Sequence, residues 1–182
     1  PLGIPDMPPL LATIERLGGI LESIREVVDP PADGRLSDAE VGILWHADGW
    51  WALETPQMPN DALSYSEEVR STHRALWRSG IETDFVRPGA PITRYRVIVV
   101  PCLYPMSEET AAWLHDYAAS GGTVVVSYLS GVSDEHLRIV GGGFPGRLRD
   151  LLGASSEQIE VLGPGEVVDL GDGLAGTEWS EL

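Results

Sequence analysis

Four consecutive β-branched residues, Val97-Ile98-Val99-Val100, running into Pro101, constrain this chain more than any other stretch. Without polar alternation, such a run describes a strand covered on both faces, and strands of that kind sit centrally in parallel sheets. After Cys102 to Met106, Ser107 stands in N-cap position with Glu108 and Glu109 in the first turn of a helix. Its hydroxyl and their negative charges suit the free N–H groups of a helix start. Gly121-Gly122 ends that helix, and Thr123-Val124-Val125-Val126 reads as a second buried strand. Strand, helix and strand make a right-handed crossover.

The rest of the chain arranges itself around that unit. Val41-Gly42-Ile43-Leu44-Trp45 is a first strand, expected beside Val97–Pro101 and parallel to it, with Thr123–Ser127 on the far side of the latter. From Asp61 or Ser64 to Ser79, the apolar positions Tyr65, Val69, Leu76 and Trp77 suit an amphipathic helix closed by Gly80. Thr83–Val86 is a short edge strand. Phe144-Pro145-Gly146 precedes a helix from Arg147 to Leu152 that Gly153 ends, and Ile159–Leu162, Glu166–Leu170 and Glu178–Ser180 are short strands of a tail. At the other end, Leu10, Ile14, Leu17, Leu21 and Ile24 recur at three- and four-residue spacing within a helix from Leu10 to Val28. Asp29-Pro30-Pro31-Ala32-Asp33-Gly34 then breaks it.

This order of elements defines a parallel sheet flanked by helices, an α/β fold of flavodoxin-like or class I glutamine amidotransferase-like type. Three segments follow: 1–39 with the N-terminal helix, 40–163 as the α/β domain, and 164–182 as a β tail. A length of 182 residues holds one compact domain with appended pieces.

Charge narrows the partners. With 28 acidic against 12 basic residues, all of the latter Arg, the formal charge is -16, which disfavours nucleic acid and anionic membranes. No run approaches the roughly 18 apolar residues of a membrane helix. The single Cys102 rules out an internal disulfide and a cysteine-built metal site, so a cytoplasmic location is expected. The chain starts at Pro1 without an initiator Met, which reads as a fragment or a processed product.

Candidate chemistry is sparse. A phosphate or dinucleotide site needs a glycine-rich turn opening a helix after the first strand, whereas His46-Ala47-Asp48-Gly49-Trp50-Trp51-Ala52-Leu53-Glu54 offers one glycine among bulky tryptophans. We read this stretch as a loop at a strand's C-terminal end, with His46, Trp50, Trp51 and Glu54 as cleft or interface candidates. An amidotransferase places its nucleophile on a strained elbow after a buried strand. The equivalent run here is Ser127-Tyr128-Leu129-Ser130-Gly131, with Leu129 where a cysteine would stand. Ser130 is the nearby substitute nucleophile, and Tyr128 is a further cleft candidate. Cys102 lies at the end of a different strand and reads as a packed small residue. No catalytic residue, cofactor or metal ligand is expected within the chain.

Trp50-Trp51-Ala52-Leu53-Glu54, Val126 to Gly131 with Asp134-Glu135, Gly143-Phe144-Pro145-Gly146, and Leu148-Arg149-Asp150-Leu151-Leu152-Gly153 resemble the middle domain of glycoside hydrolase family 42 β-galactosidases, in order from about Val41 to Trp179. His46-Ala47-Asp48-Gly49 departs from the aromatic and acidic run usual before the paired tryptophans. The resemblance implies a modular enzyme: a catalytic (β/α)8 barrel with two glutamates, this amidotransferase-like domain associating subunits as a homotrimer, and a small β domain after it. A barrel needs roughly 200 residues or more, so the chain by itself is expected to be inactive on β-galactosides, and its partners would be the parent's barrel and two further copies. A standalone hydrolase or a galactoside-binding protein, with Trp50 and Trp51 stacking on a sugar, is the alternative.

Overall fold

The computed structural model describes residue 16 and residues 37–55, 63–163, 165–176 and 179–181. Of the helix expected from Leu10 to Val28 only Arg16 is described, and it is helical; the rest lies outside the described residues. The chain divides into two compact units, Pro1–Asp38 and Ala39–Leu182, and the second contains the sheet.

That sheet has four parallel strands, β1 (Val41–Leu44), β2 (Thr83–Val86), β3 (Val97–Val100) and β4 (Thr123–Val126), in the order β2-β1-β3-β4. The expected pairing of the first strand with Val97–Val100, and of the latter with Thr123–Val126, is present, and β2 is an edge. Between the strands run α1 (Ala47–Leu53), α2 (Tyr65–Arg78) and α3 (Glu108–Ala119). The step from β1 to β2 moves one way across the sheet and the step from β3 to β4 the other. Right-handed crossovers then put α2 and α3 on opposite faces, with a switch point between the ends of β1 and β3.

Burial corrects one expectation. The row Phe85, Ile43, Val99, Val125 crosses the sheet on one face, with Ile43 fully buried but Phe85 56% and Val125 49% exposed. Strand β4 is therefore an edge strand and not a buried one: its β-branched composition reflects fit to a pleated surface, which does not by itself require cover on both faces. On the other face Ile98 and Val100 are fully buried. Gly42 makes room there, since a Cβ at that position would lie 2.7 Å from Ile98 Cδ1.

The helices are capped as their sequences require. Ser64 and Ser107 accept from the N–H of Glu67 and Thr110, satisfying donors that a helix start leaves free. His73 of α2 stacks on Phe85, ring centroids 5.6 Å apart. Trp113 and Tyr117 of α3 donate to the carbonyls of Ala90 and Tyr95, so the helix is locked to the segment leading into β3.

After β4 the chain makes a 3-10 turn (Gly146–Leu148) and the one-turn α4 (Arg149–Leu152), closed by Gly153 at φ 64°, where glycine carries no Cβ penalty. The tail forms two antiparallel pairs, β5 (Ile159–Val161) with β8 (Trp179–Glu181), and β6 (Val168–Gly171) with β7 (Leu174–Gly176). Strand β7 was not expected from its short Leu-Ala-Gly sequence; the Asp172-Gly173 turn, with both residues at positive φ, is the hairpin signal that reveals it.

Candidate functional site

The stretch read as a loop after β1 is the helix α1, and the reason lies in its first residue. His46 has extended backbone, its Nδ1 accepts from the N–H of Asp48 at 3.3 Å, and its own N–H donates to the hydroxyl of Tyr65 at 3.0 Å. A histidine thus caps a short helix, a role that commonly falls to Ser, Thr, Asp or Asn. Tyr65 is completely buried and donates in turn to the carbonyl of Leu44 at 3.3 Å, so β1, α1 and α2 meet at one phenol. Burial, outweighing the His46 hydrogen bond, pushes that phenol up to about 12. Gly49 is buried because the space a Cβ would need is held by Leu103 and the Tyr65 ring, 3.0 and 3.1 Å away.

On this helix Trp50 is 43% and Trp51 65% exposed. Trp45, at the end of β1, is 41% exposed, so three tryptophans are exposed around the C-terminal end of one strand. Glu54 ends the helix. An indole N–H bond from Trp50 holds its carboxyl below the usual carboxylate range, outweighing desolvation, with help from the hydroxyls of Ser64 and Ser66 and the charge of Arg70. Both hydroxyls reach its Oε1 at 3.1 Å. Glu54 is accordingly a clasp between α1 and the start of α2.

Tyr128 stands apart from this group. It lines, with Leu129, Ser130, Pro145 and Ser156, a separate cavity of about 270 Å³ beyond the end of β4. The backbone there does have an elbow: Leu129 takes φ 55°, the left-handed conformation that side chains rarely adopt. Its side chain is 3% exposed and has no nucleophilic atom. Ser130, the substitute nucleophile, is 1% exposed. Its hydroxyl accepts from the N–H of Leu103 at 3.1 Å and lies 3.4 Å from the carbonyl of Val100, to which it donates. Cys102 is also at positive φ, 47°, and fully buried. Both bonds of the Ser130 hydroxyl are thus to backbone groups and not to the histidine or carboxylate base that nucleophilic catalysis requires.

A second cavity, of about 230 Å³, lies where β1 and β3 diverge and includes His46, Asp48, Leu103, Pro105, Thr110 and Glu135. The structure therefore gathers His46, Trp50, Trp51 and Glu54 on α1 and leaves Tyr128 outside. Glu135 lines this crevice and lies 3.6 Å from Arg147. Among the described residues no group of three or more His, Cys, Asp or Glu could hold a metal ion, and no helix is long and apolar enough to cross a membrane.

A model of the β-galactosidase trimerisation domain matches residues 39–182. The chain belongs to that family. A β-galactosidase of an Arthrobacter species is 36% identical over 167 residues, 86% of this chain and 24% of the relative. One from a Geobacillus species is 41% identical over 120 residues, 66% of this chain and 18% of the relative. Among solved structures, a β-galactosidase from Bacillus circulans sp. alkalophilus superposes with a TM-score of 0.73 at 30% identity, covering 80% of this chain and 23% of that one. One from the Antarctic haloarchaeon Halorubrum lacusprofundi gives 0.71 at 30% identity, covering 80% and 22%. This trimerisation-family chain thus spans about a quarter or less of the length of these relatives.

What sequence reasoning missed is Trp45, Asp48 and Glu135. Asp48 had a readable signal, being two residues after a residue that ends a strand and opens a helix. Glu135 had none, because its approach to the crevice depends on the fold of the segment after β4.

Proposed function

We propose that this chain is the subunit-assembly module of a cytoplasmic β-galactosidase and forms a homotrimer through residues 39–182, with Trp50 and Trp51 at or near the contact. The family match carries this reading, and the 43% and 65% exposure of the two tryptophans on one short helix gives it a location. Large aromatics clustered in the open usually mark a contact surface. A threefold contact joins two different patches head to tail, so the tryptophans need not complement themselves.

Hydrolysis of terminal β-galactosides belongs, in this reading, to the catalytic barrel of the parent enzyme, which would be the domain's partner within each subunit. Retaining glycosidases need two carboxyl groups about 5 Å apart across a sugar. The buried, hydrogen-bonded Ser130 and the thiol of Cys102 offer no substitute. A standalone hydrolase of the same fold is thereby disfavoured.

Light scattering across a range of concentrations tests the proposal. A trimer mass that falls to monomer in the Trp50→Ala, Trp51→Ala double variant is the expected result. A chain that stays monomeric at the highest concentration, or a trimer indifferent to the double variant, would reject it.

A further inference from the structure

The arginines of this chain are not spread evenly. Residues 69–96 hold six of the 12 against two acids, Glu82 and Asp84, so six positive less two negative gives +4 in a chain of -16. Residues 47–68, just before them, hold Asp48, Glu54, Asp61, Glu67 and Glu68 and no basic residue, a balance of -5. Part of this polarity serves α2 itself, whose dipole favours acids at its start and bases at its end: Glu67 and Glu68 are in the first turn and Arg78 in the last. Arg87 lies beyond the helix, one residue past β2, where the dipole gives no reason for it.

The basic end also carries apolar surface. Trp77 is 70%, Ile81 39% and Phe85 56% exposed. His73, stacked on Phe85, stands one helical turn before Trp77 on the same stripe, and the N–H of Ile81 is bonded to the carbonyl of Leu76 at 3.0 Å. The three belong to one surface, formed by the C-terminal half of α2 and the edge strand β2. The acidic end carries another, Trp50 and Trp51 on α1, which Glu54 fastens to Ser64 and Ser66 at the start of α2. With 14 residues, α2 is about 20 Å long, so the two aromatic surfaces lie at opposite ends of one helix.

Resting on the assembly reading, we infer that the basic surface of Trp77, Phe85, Arg78 and Arg87 docks the acidic Trp50–Trp51 surface of a second copy of this chain. Two copies of net charge -16 repel one another, so their contact sets opposite charges face to face, and residues 69–96 are the most basic stretch of the sequence. Because both surfaces lie on one chain, the contact is head to tail, the kind that closes into a ring by rotation. A twofold contact of the basic surface with itself would set arginines against arginines.

Sedimentation velocity of the 182-residue chain tests this through mixed variants. One, Trp77→Ala with Arg78→Glu and Arg87→Glu, lacks the basic surface; the other, Trp50→Ala with Trp51→Ala, lacks the tryptophans of the acidic one. Each alone should be monomeric. Their equimolar mixture should give a heterodimer, since each partner keeps one intact surface and the ring cannot close. Leu174→Ala, at a residue 65% exposed in the tail, should leave assembly unchanged. The unmodified chain should need at least about tenfold more protein for half-assembly at about 1 M salt than at about 0.01 M, because the Debye length falls from about 30 to about 3 Å. Circular dichroism shows whether each variant is folded; if Trp77→Ala disturbs α2, the two arginine reversals carry the test alone. An unmodified chain that stays monomeric overturns the assembly reading and this inference together. A trimer abolished by the Trp50, Trp51 pair but left intact by the basic-surface variant overturns this inference alone, as does a mixture that stays monomeric or an assembly indifferent to salt.

Discussion

The hydroxyl of Ser127 accepts the backbone N–H of Cys102 at 2.7 Å, across the C-terminal ends of two adjacent parallel strands. Three residues on, Ser130 does the same for Leu103 at 3.1 Å. The exit of β3 turns through positive φ at Cys102, which takes its N–H groups out of the strand ladder, and buried donors must find acceptors elsewhere. The run that resembles a nucleophile elbow is thus a bracket that satisfies its neighbour. Ser130→Ala is expected to cost about 1–3 kcal/mol, because the N–H of Leu103 is then left buried and unpaired. Urea denaturation of the variant measures it. A change below a few tenths of a kcal/mol would release Ser130 for another role.

Tyr65 gives the alkaline limit of stability. Its phenol is raised from the ordinary value of 10.0 to about 12, so the folded state holds the proton more tightly than the unfolded chain. The associated stability is complete below pH 10 and is lost as pH rises from about 10 toward 12, with a total of about 3 kcal/mol at most for a two-unit shift. Tyr65→Phe should lower stability at neutral pH by about 1–2 kcal/mol, since the Leu44 carbonyl and the His46 N–H lose a partner. It should also flatten the alkaline dependence. Denaturation curves at neutral pH and near pH 11 for both chains check the two effects separately.

Much of the sheet was legible because β-branched runs and capping serines act locally. Val97–Val100, Ser107 and Gly121-Gly122 each carry their own signal, and the crossover handedness does the rest. Two things were not legible for physical reasons. Whether the β4 face is covered depends on what lies over Val125, and a strand's composition is silent on that. The helix at Ala47–Leu53 depends on a histidine cap tied to a tyrosine 19 residues away, a contact no local pattern encodes. Of the candidate site, the tryptophans were visible as residues; their helix, the Glu54 clasp and the crevice with Glu135 were not.

Asp134 organises the loop that carries Glu135. Its Oδ1 accepts from the N–H groups of Arg138 and His136, both at 2.9 Å. The Arg138 bond, outweighing desolvation, holds its carboxyl below the ordinary value, with the His136 bond and the charges of His136 and Arg138 adding to it. A depressed carboxyl stabilises above the unfolded value, near 4, and that contribution is lost as pH falls through the lower folded one. An NMR titration should therefore show the His136 and Arg138 amide protons moving together, with a midpoint below that of an ordinary aspartate. Midpoints at or above the ordinary value would contradict the arrangement.

Gly131 is held by its backbone. It has φ 70°, and a Cβ there would lie 2.8 Å from the carbonyl oxygen of Pro145. Alanine must bear left-handed strain of about 1–2 kcal/mol and also displace a backbone atom, which cannot rotate away as a side chain can. Gly131→Ala is expected to cost more than 2 kcal/mol in chemical denaturation, whereas Gly153→Ala, at φ 64° with nothing within 4 Å, should cost only the conformational part. Equal costs at the two positions would show that the close approach to Pro145 does not matter.

Trp50 and Trp51 are neighbours in sequence but face different constraints, which makes them separable. The Trp50 indole bonds Glu54 at the end of its own helix, so it helps orient the carboxylate that Ser64 and Ser66 of the α2 start reach. Trp51 is 65% exposed, more than Trp50, and its recorded bond is through its backbone carbonyl, to Thr55 Oγ1 at 2.7 Å. If α1 forms the subunit contact, Trp51→Ala removes contact area and little else. A buried interface tryptophan is worth about 2 kcal/mol or more, so the concentration for half-assembly should rise at least about 30-fold while monomer stability stays within about 0.5 kcal/mol. Trp50→Phe keeps most of the ring and loses the N–H. It should lower monomer stability slightly and move assembly less than Trp51→Ala does. Sedimentation and denaturation on the same two variants read both quantities. The opposite ranking, with assembly governed by Trp50 and stability by Trp51, would reject the placement of the contact on the exposed face of α1.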